Sequence, residues 1–251
     1  MKLGAQLYTL REYTQNEKDL DYSLGRVSEM GYQTVQLSAI GPIAPQRVRQ
    51  LCDKHGLEIV LTHTEPGRIL NDTQAVIEEH EVFGCRYIGI GMMPKKYLSP
   101  EWLWHFADDY QEPAKKIAAA GKLLMYHNHN VEFQRFGGKL VMDVLLESFA
   151  PDELGFTLDT YWVQMGGADL YAWLEKLSGR IPCVHLKDMA VNGWEPVMAP
   201  VGEGNIDFGK VLKTLAHCGT EHILVEQDVC QGSPFDCLKQ SLRNIQKLET
   251  A

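Results

Sequence analysis

One phrase recurs along this chain and constrains its fold more than any other feature: an amphipathic stretch, a glycine, then a compact apolar run. It reads EMGYQTVQL around Gly31, KHGLEIVLT around Gly56, VFGCRYIGI around Gly84, AAGKLLMYH around Gly121, SGRIPCVHL around Gly179 and HCGTEHILV around Gly219. PDELGFTLD, with Gly155, is a looser version, and MKLGAQLYTL opens the chain as a strand with no helix before it. A glycine just past a helix relieves the left-handed residue there, and an unbroken apolar run suits a parallel strand buried on both faces. The pattern predicts eight strands, near residues 3–9, 33–38, 57–63, 86–91, 122–127, 154–159, 181–186 and 222–227. Apolar residues at helical spacing predict helices over 19–30, 45–55, 73–83, 100–120, 169–177, 208–218 and 234–248. Such alternation in 251 residues points to an α/β fold, a (β/α)8 TIM barrel over residues 1–251 with no linker or composition shift. An open doubly wound sheet is the competing architecture, but the glycine-rich dinucleotide fingerprint after the first strand is missing.

In such a barrel the active site gathers where the strands end. FTLDTYW brings Asp159 to the end of strand six, CVHLKDM brings His185 to strand seven, and ILVEQD brings Glu226 to strand eight. Carboxylates and imidazoles are the side chains that hold a divalent metal such as manganese, cobalt or zinc. Taken singly, each has an ordinary explanation as a satisfied core histidine or a helix-capping acid. Together, on neighbouring strands, the acids would repel one another unless a cation held them. Strand five offers a fourth ligand from YHNHNVEF: His127, His129 or Glu132.

Lys187 follows His185 by two residues and so shares its strand parity; it can hold a substrate oxygen or pair with a ligand carboxylate. Asp188, with the opposite parity, is expected to cap or orient. His63 ends strand three and can contact substrate, as can Glu203 in the Gly-Glu-Gly turn after strand seven; Trp162 offers an aromatic platform. Gln6 and Tyr8 on strand one and Gln36 on strand two are expected to shape the far wall. Trp102 and Trp104 read as packing or rim residues.

Composition excludes more than it selects. With 33 acidic against 24 basic residues the net charge is -9, which argues against a nucleic-acid or membrane-surface role. No apolar segment approaches the length of a membrane span. The six cysteines form no C-x-x-C pair, so reduced thiols and a cytoplasmic location are expected.

The YHNH-x-x-EF, LD-x-YW, HLKDM and VEQD blocks, with GEG-x-ID-F at 202–208, resemble the xylose-isomerase-like TIM-barrel superfamily over essentially the whole chain. The similarity is to its sugar phosphate isomerase/epimerase branch, which includes ketose epimerases and inosose dehydratase. The resemblance implies one divalent metal, most often manganese, with cobalt, magnesium or zinc as alternatives, held by Glu, Asp, His and Glu. Asp159, His185 and Glu226 match that set. Ketose epimerases carry a glutamate where Tyr126 or His127 stands here, so Glu132 is taken as the fourth ligand, with His127 as the alternative. They also carry a histidine three residues after the aspartate, where Trp162 stands. By the same resemblance the reaction is isomerisation or epimerisation of a small keto-sugar through an enediolate, with Glu226 as base and Glu132, His127 or His129 opposite. The alternative is elimination from an inosose or 3-keto-glycoside. The superfamily also holds apurinic endonucleases, but the charge and a lack of additional mouth histidines at their spacing speak against DNA. The expected partner is a small sugar, with homo-oligomers common among such barrels. The acid of Glu203 disfavours a phosphate group in its turn.

Overall fold

The glycine phrase works as helix-stop and strand-start: Gly31 closes the first helix at φ 110° and Gly84 the fourth at φ 63°, where any side chain would be strained. The strands that follow are, in the computed structural model, which describes residues 1–249, β1 Lys2–Gln6, β2 Thr34–Leu37, β3 Glu58–Thr64, β4 Tyr87–Ile90, β5 Leu123–His127, β6 Leu154–Asp159, β7 Cys183–Leu186 and β8 His222–Val225. They close into a barrel in sequence order, every neighbouring pair parallel, with β8 pairing back to β1. Around it pack α1 Glu17–Met30, α2 Pro45–Lys54, α3 Pro66–Asn71, α4 Thr73–Phe83, α5 Leu103–Ala119, α6 Val141–Ser148, α7 Thr160–Met165, α8 Leu170–Lys176, α9 Phe208–Leu215 and α10 Pro234–Glu249. Most of the apolar core lies between this helical ring and the outer strand faces.

A second, smaller apolar cluster fills the barrel itself: Leu61, Tyr87, Met125, Cys183 and Leu224 are buried there together. Side chains alternate across a strand, so the residue two positions downstream faces the same lumen. From Leu61, Met125, Cys183 and Leu224 that step arrives at His63, His127, His185 and Glu226. Thr157 leads likewise to Asp159, Gly4 to Gln6 and Thr34 to Gln36. An apolar plug below and a polar ring above are therefore the same parity read at two levels.

The sequence pattern misses what is too short to carry a period. β1 stops at Gln6 rather than residue 9, because a tight 3-10 segment takes over at Leu7–Tyr13. The short helices α3, α6 and α7, and the antiparallel ribbons Arg135–Phe136 with Lys139–Leu140 and Asp188–Asn192 with Glu195–Ala199, lie in the loops after strands. Among the described residues, no helix is long and apolar enough to cross a membrane.

His80 on α4 couples the helical ring to β3. Its Nδ1–H donates to the Val76 carbonyl at 2.7 Å and its Nε2 accepts from the Thr62 hydroxyl at 2.8 Å. Burial pushes its pKa down to about 4, from an ordinary 6.5. The folded state binds the proton less readily than the unfolded chain, so this contribution to stability is complete above pH 6.5 and is lost as pH falls toward 4. The full amount is about 3 kcal/mol. Urea unfolding across that range is expected to show the loss, and His80→Gln is expected to flatten the slope by that share.

Candidate metal centre

His127 and Asp159 are the last residues of β5 and β6, His185 lies one residue before the end of β7, and Glu226 lies just past β8. Asp159 and His185 are register partners across the β6–β7 pair. One donor atom from each of the four residues lies within 4.8 Å of the other three, and all four residues are buried. Asp159 Oδ2 is 3.3 Å from His127 Nε2 and 3.7 Å from His185 Nδ1, and Glu226 Oε2 is 3.1 Å from His185 Nδ1.

Each donor is aimed by a neighbour. Gln36 Oε1 lies 2.6 Å from His185 Nε2, so the Nε2–H is used there and Nδ1 faces the acids. The Gly91 carbonyl, 2.9 Å from His127 Nδ1, turns Nε2 inward in the same way. Gln6 Nε2 donates to Glu226 Oε1 at 2.6 Å, leaving Oε2 for the centre. Asp159 Oδ1 accepts from the Trp162 N–H and caps α7, leaving Oδ2, while Asn128 Oδ1 accepts from the Asp159 N–H. Such oriented partners are what fixes ligand geometry around a metal. Gly91 matters through its missing side chain as well, since a Cβ there would lie 2.9 Å from the His63 ring.

The donor set fits a divalent ion. His185 Nδ1 and Glu226 Oε2 are buried and face each other across 3.1 Å. His127 Nε2 meets Asp159 Oδ2 across 3.3 Å, a contact that either a proton or a metal cation satisfies. Two imidazoles and two carboxylates suit manganese, cobalt or zinc better than magnesium, which prefers oxygen throughout.

Lys187 supplies the internal positive charge. Its Nζ lies 3.2 Å from Asp159 Oδ2, 2.9 Å from Glu226 Oε2 and 2.9 Å from Asp228 Oδ1, and 5.3 Å above the Trp162 ring. Burial opposes its charge, but the three carboxylates outweigh burial and hold its pKa up. Burial equally opposes the Asp159 and Glu226 carboxylates, and Lys187 leads the neighbours that hold both below the ordinary range. For His185, burial lowers and Glu226 and Asp159 raise, leaving about 9. Asp228 is pushed up by burial and by Glu226.

Four imidazoles meet at this mouth, each at a position the sequence singles out. His127 sits 4.6 Å from His185, 4.8 Å from His129 and 5.2 Å from His63, centroid to centroid. Burial, then neighbouring histidines, pushes His63 well down and His129 to about 3, so both are neutral at physiological pH. His63 Nδ1 pairs with Ser38 Oγ at 3.1 Å, and His63 Nε2 and His129 Nδ1 have no partner.

The fourth residue at the centre is His127, where the sequence reading preferred Glu132. The Glu132 carboxylate is turned into the loop after β5, accepting from the Tyr126 hydroxyl at 2.6 Å and the His129 N–H at 2.7 Å. Burial raises its pKa, against both hydrogen bonds. Glu203 faces away too, toward α10, accepting from Gln240 Nε2 at 3.1 Å and Asn244 Nδ2 at 2.8 Å. Trp162 packs on Lys187 and His129 rather than along the cavity wall. Asp188 does cap, taking the amides of Met189, Gly202, Gly204 and Ile206. Sequence reasoning missed Asp228, though its parity with Glu226 was available, and missed Gln6 and Gln36 as orienting partners.

A cavity of ≈ 760 Å³ opens above the centre; His63, His127, His129, Lys187, Glu226 and Asp228 line its inner end and Tyr8 its far wall. A closed eight-stranded barrel with a ligand-lined cavity at the strand ends is a TIM barrel with a candidate metal site. A family profile described as "Xylose isomerase-like TIM barrel" matches residues 24–248, and the chain belongs to that family. It is 22% identical to an inosose dehydratase of Geobacillus kaustophilus (strain HTA426), over 91% of this chain and 87% of that one. Its structure is similar to a sugar phosphate isomerase/epimerase of Parabacteroides distasonis, with TM-score 0.85 and 22% identity over 98% of this chain and 93% of that one. It is also similar to the IolI protein, solved with a bound zinc atom, with TM-score 0.73 and 15% identity over 99% and 98% of the two chains.

Metal content by mass spectrometry is expected to fall in Asp159→Asn and His127→Ala and to stay near that of the unaltered protein in Glu132→Gln. Gln36→Leu, which frees the His185 ring, is expected to weaken metal affinity about 10- to 100-fold.

Proposed function

We propose that this protein is a divalent-metal-dependent enzyme that removes a proton beside the carbonyl of a keto-sugar, an isomerase or epimerase acting through an enediolate. The observation that carries this reading is the convergence of His127, Asp159, His185 and Glu226, all four buried, at the floor of a sugar-sized cavity. His127, Asp159, His185 and Glu226 would hold the ion, with manganese the first choice and cobalt or zinc close alternatives. When bound, it would polarise a substrate oxygen and so acidify the neighbouring C–H.

The remaining work falls to the chain. The Glu226 carboxylate is the base nearest the centre, with Oε1 steadied by Gln6. Lys187 and the unpartnered nitrogens of His63 and His129 are positioned to take hydroxyl and carbonyl oxygens of the sugar, and His129 Nδ1 is the candidate for exchanging a proton on the other side.

A second reading, β-elimination from an inosose or a 3-keto-glycoside, is favoured by one feature. Epimerisation with paired glutamates needs a carboxylate on each face of the sugar, and Glu132 is held away by Tyr126 and His129. One carboxylate base facing a lysine and histidines suits departure of a leaving group at least as well. Similarity to an inosose dehydratase supports it.

The test is proton NMR in deuterium oxide, with metal-loaded protein and a panel of ketoses, inososes and 3-keto-glycosides. Isomerase or epimerase action is expected as deuterium entering beside the carbonyl with a new isomer; elimination would instead release water or an alcohol. Exchange is expected to slow at least about 100-fold in Glu226→Gln. No metal-dependent exchange or elimination with any member of the panel would overturn the proposal.

A further inference from the structure

The cavity does not end at the metal centre. From His63 and His127 it runs outward between the loops after β3 and β4, where Pro66, Leu70, Met92, Met93, Pro94 and Tyr110 line it. We propose that this arm is a subsite for an apolar, planar substituent carried by the sugar, so that the substrate is a glycoside or aryl-substituted keto-sugar rather than a bare monosaccharide. The inference rests on the proposed chemistry at the centre and adds the class of substrate.

Three observations carry it. First, most polar side chains along the arm are engaged locally, the exposed Lys95 amine being the exception. Glu65 accepts the Arg68 N–H at 2.7 Å, Asn71 Nδ2 donates to the Gly67 carbonyl at 2.8 Å, and Lys96 pairs with Asp109 at 3.2 Å. Apart from Lys95, what remains to meet a ligand is chiefly hydrocarbon and thioether. Second, the Glu65 carboxylate occupies the amino end of α3, the place along this wall where backbone amides would otherwise welcome a phosphate. Third, the wall is built in advance. Tyr110 Oη donates to the Pro66 carbonyl at 3.0 Å, and its ring stacks on Phe106 at 4.5 Å, tying the loop to α5. Met93 is fully buried behind the arm while Met92, 55% exposed, stands at its lip. A flexible, polarizable thioether at the lip suits contact with an aromatic ring.

The test uses zinc-loaded protein labelled with ¹³C at its methionine methyl groups, with Met92 and Met93 assigned through Met→Leu variants. The probes are 4-nitrophenyl β-D-glucopyranoside, methyl β-D-glucopyranoside and D-glucose 6-phosphate. The aryl glucoside is expected to shift the Met92 and Met93 signals and to bind at least about tenfold more tightly than either other probe. Met92→Glu, at an exposed position, and Leu70→Asp, deeper in the arm, are each expected to remove that preference while leaving methyl glucoside binding unchanged. If methyl glucoside or the sugar phosphate binds as well as the aryl glucoside, or if no probe moves either methionine, the arm is not an aglycone site. Binding that keeps the aryl preference but is indifferent to zinc would uphold the arm and overturn the metal-centred reading. Zinc-dependent binding without aryl preference would do the reverse.

Discussion

Two carboxylates buried side by side govern the rest of this molecule. Asp159 and Glu226 are almost wholly withdrawn from water, and ionised groups so placed are costly unless a cation faces them. The protein meets that demand with Lys187, equally buried and in contact with both. Everything around the pair can be understood as keeping the two acids ionised and aimed. Gln6 and the α7 amide each take one oxygen so that the other points inward, and Gln36 and Gly91 orient the imidazoles. A divalent ion entering this group would take over the charge compensation from Lys187, which keeps a further carboxylate, Asp228, at 2.9 Å. The third acid thus gives the lysine somewhere to remain.

Much of this is legible in the sequence, for a definite reason. A TIM barrel makes position along a strand equivalent to height in the lumen, and parity equivalent to facing. Once the glycine phrase had located the strands, Asp159, His185 and Glu226 could be assigned to one mouth without knowing a distance. The same rule covered Lys187 beside His185 and, had it been applied, Asp228 beside Glu226. What parity cannot reach is the loop. Glu132 lies five residues beyond the end of β5, where direction is set by contacts distant in character from any repeat: a phenol from Tyr126 and an amide from His129. Both partners sit inside the same YHNHNVEF block that made Glu132 attractive as a ligand, and nothing in their spacing says that they hold it back. Glu203 went astray similarly, since its partners Gln240 and Asn244 come from α10, some forty residues downstream.

The withdrawal of Glu132 leaves the centre chemically asymmetric. An epimerising site with a carboxylate on each side of the substrate is nearly symmetric in base strength, so a proton taken from one face can be returned to the other by a like group. Here the one carboxylate is Glu226, in contact with a lysine that the acids keep charged, and the other groups are imidazoles such as His129 that burial keeps neutral. Such a pair favours one direction of proton flow for each group. It can complete an isomerisation, and it can assist a departing oxygen; the protein's own residues are compatible with both because both begin with the same proton.

The same asymmetry extends along the rim. Strands five to eight contribute most of the charge: His127, Asp159, His185, Lys187 and Glu226 arise from them or just beyond. The loops after strands three and four contribute proline, leucine and methionine, with most of their polar neighbours, Lys95 excepted, tied into α3 and α5. On the proposed reading, chemistry and recognition fall to different arcs of one circle, with His63, at the end of β3, touching both. Its ring packs on His127 and His185 on one side and fills the space that a side chain at Gly91 would take on the other. A barrel can change what it binds by altering the loops of one arc while the parity of the other arc keeps its ligands in place, which is why a common centre is compatible with different sugars and different outcomes.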